Sequence, residues 1–135
     1  MEQRDYIESI IEQLGNSLKR MLSFLIKENG KNNEIETITS IENDFLTNFK
    51  ISIEELVLLS DDDFKIRVLN LKLKENHIET LSKLFFQLSF QNKRYTIEQK
   101  LKLKEKALLL LDIANFVSNS FSIERFNMKN EILKS

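Results

Sequence analysis

Apolar residues between Arg4 and Ile26 return every three or four positions, at Ile7, Ile11, Leu14, Leu18, Met21 and Leu25. At about 100° per residue these six side chains fall within about 80° of one another on a helix. Their alternating spacing is that of a heptad seam. Ile10, Phe24 and Tyr6 widen the arc on one flank to about 160°, where a surface helix covering its own core needs a stripe of only about 100°. The pattern predicts one long helix over 3–28. It leaves two readings of the excess surface open: the helix is wedged between two elements of its own chain, or one flank meets a second copy or another protein.

Downstream, helix starts are announced by side chains that can accept from or donate to the unpaired backbone groups of a first turn. The capping-box pattern occurs as Asn33-x-x-Glu36, Ser52-x-x-Glu55, Asn76-x-x-Glu79 and Thr96-x-x-Gln99, with Ser60-x-x-Asp63 as a shorter relative and Ser122 before Glu124 as the last start. Asp61, Asp62 and Asp63 also suit the positive end of a helix dipole. Together with the apolar periodicity these signals predict helices over 33–49, 52–59, 61–73, 76–91, 96–118 and 122–134. In the segment "NGKNN", Gly30 suits the left-handed position just past a helix end.

Two of these helices are greasier than the rest. "ALLLLDIANFV", from Ala107 to Val117, is apolar on every side, and "ETLSKLFFQLSF" before it is nearly so. They are expected to pack as an antiparallel hairpin at the centre of the fold. "NLKLK" at 70–74 and "KLKLK" at 100–104 alternate as strands do, but capping signals on one side and helical spacing on the other argue for helix. The expected fold is all-α: a single domain over 1–135, a bundle of six to seven helices, its first helix a candidate oligomerisation arm.

Composition agrees with helices and narrows the chemistry. The 135 residues contain no proline and two glycines, which suits long helices and starves tight hairpin turns. There is no cysteine, which excludes disulfides and thiolate chemistry. A formal net charge of −1 points to no polyanion partner. No apolar run approaches a membrane span and "MEQRDYIE" shows no secretory signal, so a cytoplasmic protein without membrane attachment is expected.

Candidate catalytic groups are few. The one histidine, His77, sits next to a presumed cap at Asn76 and reads as a surface or capping residue. "DDD" at 61–63 lacks the spacing of a hard-metal loop and reads as a cap and dipole partner. Lys93, Arg94, Lys100, Lys102, Lys104 and Lys106 divide between two flanks of a helix without interleaved aromatics, so no nucleic-acid partner is expected. No metal-binding or phosphate-loop motif occurs, and no cofactor, metal or catalytic residue is assigned. Asp112 is the exception to weigh. It interrupts "LLLLDIANF", where heavy burial is expected, and a buried carboxylate needs a partner such as Arg125 or Lys106. Convergence of Glu105, Asp112 and Arg125 on an inter-helix pocket would give a small-molecule binder or an enzyme.

Ile78, Leu81, Ser82 and Phe85, followed by Ala107, Leu111 and Ala114, resemble the two-helix pattern of a tetratricopeptide unit, with an insertion relative to the roughly 34-residue period. More broadly, "DYIESIIEQLGNSLKRML", "IEELVLLSDDDF" and "FSIERFNMKNEI" resemble, in the same order, segments of an uncharacterised family of small bacterial helical proteins with a tetratricopeptide-like hairpin. That family has no established activity, so the resemblance implies a fold, with residues 76–118 as the hairpin, and by analogy protein binding. The expectation is thus a non-enzymatic interaction or scaffold module, binding a protein partner or a second copy through the first helix. Tyr6, Ile10 and Phe24 are its candidate contacts.

Overall fold

A computed structural model of the protein describes residues 2–135, which form seven helices with no strand among them. They are α1 (Glu2–Glu28), α2 (Glu34–Phe49), α3 (Ile53–Leu58), α4 (Asp61–Asn70), α5 (Glu75–Leu88), α6 (Ile97–Ser118) and α7 (Ile123–Lys134). The expected all-α bundle is present, and most boundaries lie within a residue or two of the expected ones.

Serine and threonine caps form where the spacing places them. Ser52 with Glu55 and Thr96 with Gln99 make complete capping boxes, and the hydroxyls of Ser60 and Ser122 accept from the backbone N–H three residues on. The two asparagine signals do not cap. Asn33 stands at the N-cap of α2, but its amide donates to Glu28 across the turn. Asn76 lies inside α5, whose N-cap is Lys74 in extended conformation. Its expected partner Glu79 is drawn off to Arg125. Helix α4 stops at Asn70, short of the expected 73, because the chain turns there with Lys72 in the left-handed region at φ 59°. Helix α5 likewise ends at Leu88 rather than 91.

Pairwise contacts fix the directions. Glu12 of α1 meets Lys74 and His77 at the start of α5, while Leu22 and Ile26 line one groove with Phe86 and Gln87 near its end, so α1 and α5 run parallel. Helix α6 returns antiparallel to α5, with the Ser82 hydroxyl donating to the Ala107 carbonyl at 2.7 Å where the two cross. Small residues at that crossing, Ser82 and Ala107, let the axes approach closely. Helix α7 runs back along α6: Lys129 reaches Asp112, and Lys104 donates to the carbonyl of Ser135. Helix α6 is the hub, touching α3, α4, α5 and α7. The core is closed by a chain of aromatic rings across three helices: Phe45 of α2 and Phe64 of α4 both pack on Phe85 of α5, at 6.5 and 6.4 Å between centroids. All three rings are fully buried. Burial of this kind stabilises by about 25 cal/mol per Å² of apolar area.

Candidate functional site

The seam of α1 changes character along its length. Leu18, Met21 and Leu25 are buried against α2 and α5, and Leu14 and Ile11 are partly so. Beyond Glu12 the body of the molecule stops. Residues 3–10 are all exposed, although the helix continues through them. Tyr6 is 68 % exposed, Ile7 47 % and Ile10 39 %. Tyr6 and Ile10 lie four residues apart and share a face. One ion pair, Arg4–Glu8 at 3.4 Å, spans a turn of this arm. Phe24 is separated from them: it stands about 21 Å further along the axis at 1.5 Å per residue, where α1 meets Ser40, Ile41 and Asp44 of α2, and is 38 % exposed. The three candidate contacts therefore make two groups.

The root of the arm is built around His77. The expectation that it is a surface or capping residue is wrong: its side chain is buried between α5 and α1. It fits because α1 carries glycine at position 15, where a Cβ would collide with the imidazole ring. Nδ1 has no hydrogen-bond partner among the described residues, and Nε2 faces the Glu12 carboxylate at 3.8 Å. Burial lowers the histidine's pKa below its ordinary value, opposed by Glu12 and reinforced by Lys74 and Lys19, so the neutral ring is favoured. The hydrogen bond from Lys74 at 2.6 Å lowers the Glu12 pKa, and that of Lys74 is correspondingly raised. A glycine in mid-helix, in a chain with only two, was the sequence signal for this close packing.

At the same end of the bundle, the corner from α6 into α7 is pinned by Arg125. Its guanidinium is buried and finds five acceptors: Asn115 Oδ1 (2.6 Å), Glu79 (2.7 Å), Glu75 (3.1 Å), the Ser118 hydroxyl (3.1 Å) and the Ser120 carbonyl (3.3 Å). That uses every N–H group an arginine has. Outside this anchor, Phe121 and Ile123 are 70 % and 67 % exposed, and Phe121 packs on Phe126 with centroids 5.8 Å apart.

The expected burial of Asp112 is not found. Its side chain is exposed and pairs with Lys129 at 3.2 Å. Glu105 is exposed too, and Arg125 is taken by Glu75 and Glu79, so the three groups do not converge. Asp112 and Arg125 do both line an open groove of about 250 Å³ between α6 and α7, which Glu105 does not line. The α6 cation with a buried side chain is Lys106, whose ammonium lies 2.8 Å from Asp61 and 5.3 Å from the Phe64 ring. Other cations of that run bond to separate parts of the chain: Arg94 to Glu42, Lys100 to Asn92, Lys104 to Ser135.

A polar cluster that the sequence did not signal joins α2 to the turn before α6. Tyr95 is buried and donates to Glu42 at 3.0 Å, while Arg94 bonds the same carboxylate at 3.1 Å. Burial and the adjacent carboxylate push the phenol far above its ordinary range, so it holds its proton and acts as a donor. The cavity beside it, about 60 Å³, is walled by Ile53, Val57, Leu58 and Leu103. Among the described residues no cluster of three or more His, Asp or Glu side chains is arranged to hold a metal ion, and no helix is long and apolar enough to cross a membrane. Comparison with protein-family models, with curated proteins and with solved structures finds no match to this chain.

Proposed function

We propose that the protein is a non-enzymatic interaction module that self-associates through the free part of α1. One observation carries this reading: Tyr6, Ile7 and Ile10 stand in solvent on a helix that continues a buried seam past the end of the body that covers it. Each such side chain is worth roughly 1.5–3 kcal/mol when fully desolvated, which favours a helix-on-helix contact over permanent exposure. The mechanism is burial of an apolar helix face, with Arg4, Asp5 and Glu8 at its edges setting register. The pairing of Asp112 with Lys129 in solvent supports an interaction role over a catalytic one, since no buried acid is left unpaired there.

Light scattering across a concentration series tests it on the wild type and on a chain carrying Tyr6→Asp and Ile10→Asp. The wild type is expected to approach twice the variant's mass as concentration rises, with circular dichroism unchanged between the two. Equal masses at every concentration would remove self-association.

A further inference from the structure

We infer that the surface receiving the α1 arm is the α6–α7 corner of a second copy, and that the contact is reciprocal. This rests on the self-association proposed above and names its other half. The start of α5 gives both features a common reference: Glu12, at the root of the arm, bonds Lys74 just before α5, and Arg125, at the root of the corner, bonds Glu75 and Glu79 in its first turns. Since α1 runs parallel to α5, residues 3–10 and the exposed rings of the corner project from the same end of the bundle. The arm alone is too small for a stable dimer. A specific interface buries about 800 Å² and some 20–30 residues on each partner, whereas the arm offers eight residues and three large apolar side chains. Phe121, Ile123 and Phe126 supply the missing apolar area. They sit on a corner already immobilised by the five bonds of Arg125, so little ordering is needed on contact.

Charges at this end suit a copy of the same chain. The arm carries Arg4, Asp5 and Glu8, and the corner and adjacent α4–α5 turn carry Glu124 and Lys72, all of them exposed. Opposite signs therefore lie on both halves, and a net charge of −1 per chain imposes little mutual repulsion. A contact in which arm meets corner and corner meets arm closes on itself as a two-fold dimer and leaves no open end for a fibre.

The chain has no cysteine, so single cysteines report cleanly. Ile10→Cys and Ile123→Cys chains, both at exposed positions and one of them carrying a size tag, are mixed, checked for unchanged circular dichroism and treated with a short bifunctional maleimide. The expected product is the mixed dimer, with an Ile10–Ile10 product scarce. Phe121→Asp is expected to weaken self-association at least about tenfold. Crosslinks confined to Ile10 chains, in a protein that is dimeric by light scattering, would overturn the corner's role and leave the arm's intact. A monomer without crosslinks would sink both. A chain with both cysteines that closes on itself at high dilution would place the arm on its own corner and overturn the second copy as occupant.

Discussion

Gly15 and His77 show how one residue's absence of a side chain sets the position of another. Glycine inside a helix costs about 1 kcal/mol relative to alanine, so an exposed Gly15→Ala would stabilise. Here the added methyl meets the His77 ring. Overpacking costs typically about 1–3 kcal/mol, which exceeds or cancels the helix gain of about 1 kcal/mol, and the expected net effect is a loss of up to about 2 kcal/mol in denaturant unfolding. His77→Ala in the same chain should recover part of that loss, because the two changes share one space; a stabilised Gly15→Ala protein would refute the contact. Acid provides a second check on the same pair. The native histidine pKa is lowered by burial, so the unfolded chain takes up the proton first as pH falls. The contribution of this group is fully present above the ordinary value near 6.5 and declines below it. Glu12, whose pKa is also lowered, gives up its contribution below the ordinary 4.5. Unfolding midpoints measured from pH 7.5 to 4 should therefore fall in two stages for the wild type, with the upper stage missing in His77→Leu. Neither residue's burial could be read from spacing alone, because His77 follows a cap-like asparagine and Gly15 looks like a flaw in a helix.

At the level of elements, a chain with two glycines must turn with other residues. Of four left-handed positions among the described residues only Gly30 is glycine; the others are Lys50, Lys72 and Asn119. A side chain in that conformation costs about 1–2 kcal/mol, asparagine bearing it best. Lys72 is exposed, so Lys72→Gly should raise stability by about 0.5–1 kcal/mol in thermal or urea unfolding; an unchanged or lowered midpoint would contradict the strain. The same turn explains why α4 ended earlier than its periodicity suggested, since Leu71 and Leu73 continue an apolar rhythm through a bend. Helix existence and type were legible because serine and threonine hydroxyls at the caps agree with the apolar period that follows. The two asparagines fail as caps for different reasons: the amide of Asn33 bonds across the turn to Glu28, and Asn76 lies inside a helix that starts earlier, at Glu75. The greasy run at 107–117 misled in another way. Its apolar residues suggest burial on every side, yet Glu105, Asp112 and Phe116 share one exposed side of α6, reached only by the long side chains of Lys129 and Lys65 at Asp112 and Phe116. Four packed neighbours leave a helix a solvent face, and an acidic residue on it needs no buried partner.

For the molecule as a whole, the question is what keeps residues 3–10 helical. An isolated stretch of eight residues is far below the length at which a helix holds itself in water. Its one i,i+4 pair, Arg4–Glu8, is exposed and contributes only a few tenths of a kcal/mol. Continuation from the buried part of α1 removes the nucleation cost, so the arm propagates from a formed turn, but each residue added outward gains little. Backbone amides of residues 6–10 should accordingly exchange with solvent by fraying, orders of magnitude faster than those of residues 18–25, which open only with the core. Self-association changes this in a defined way. A dimer that covers the arm ties its opening to dissociation, so protection at residues 6–10 should rise with protein concentration; that at 18–25 rises too, because unfolding then also requires dissociation, while locally opening turns outside the contact, such as 29–33, stay constant. Hydrogen exchange at two concentrations a hundredfold apart, read by mass spectrometry on the peptide spanning the arm, measures the difference. Among amides that exchange by local opening, slowing confined to the arm and to the 121–126 corner is the expected pattern, because those surfaces alone pass from solvent into the contact. Exchange that is fast at both concentrations would mean that the seam of α1 ends where the body does, and that its exposed isoleucines serve no second chain.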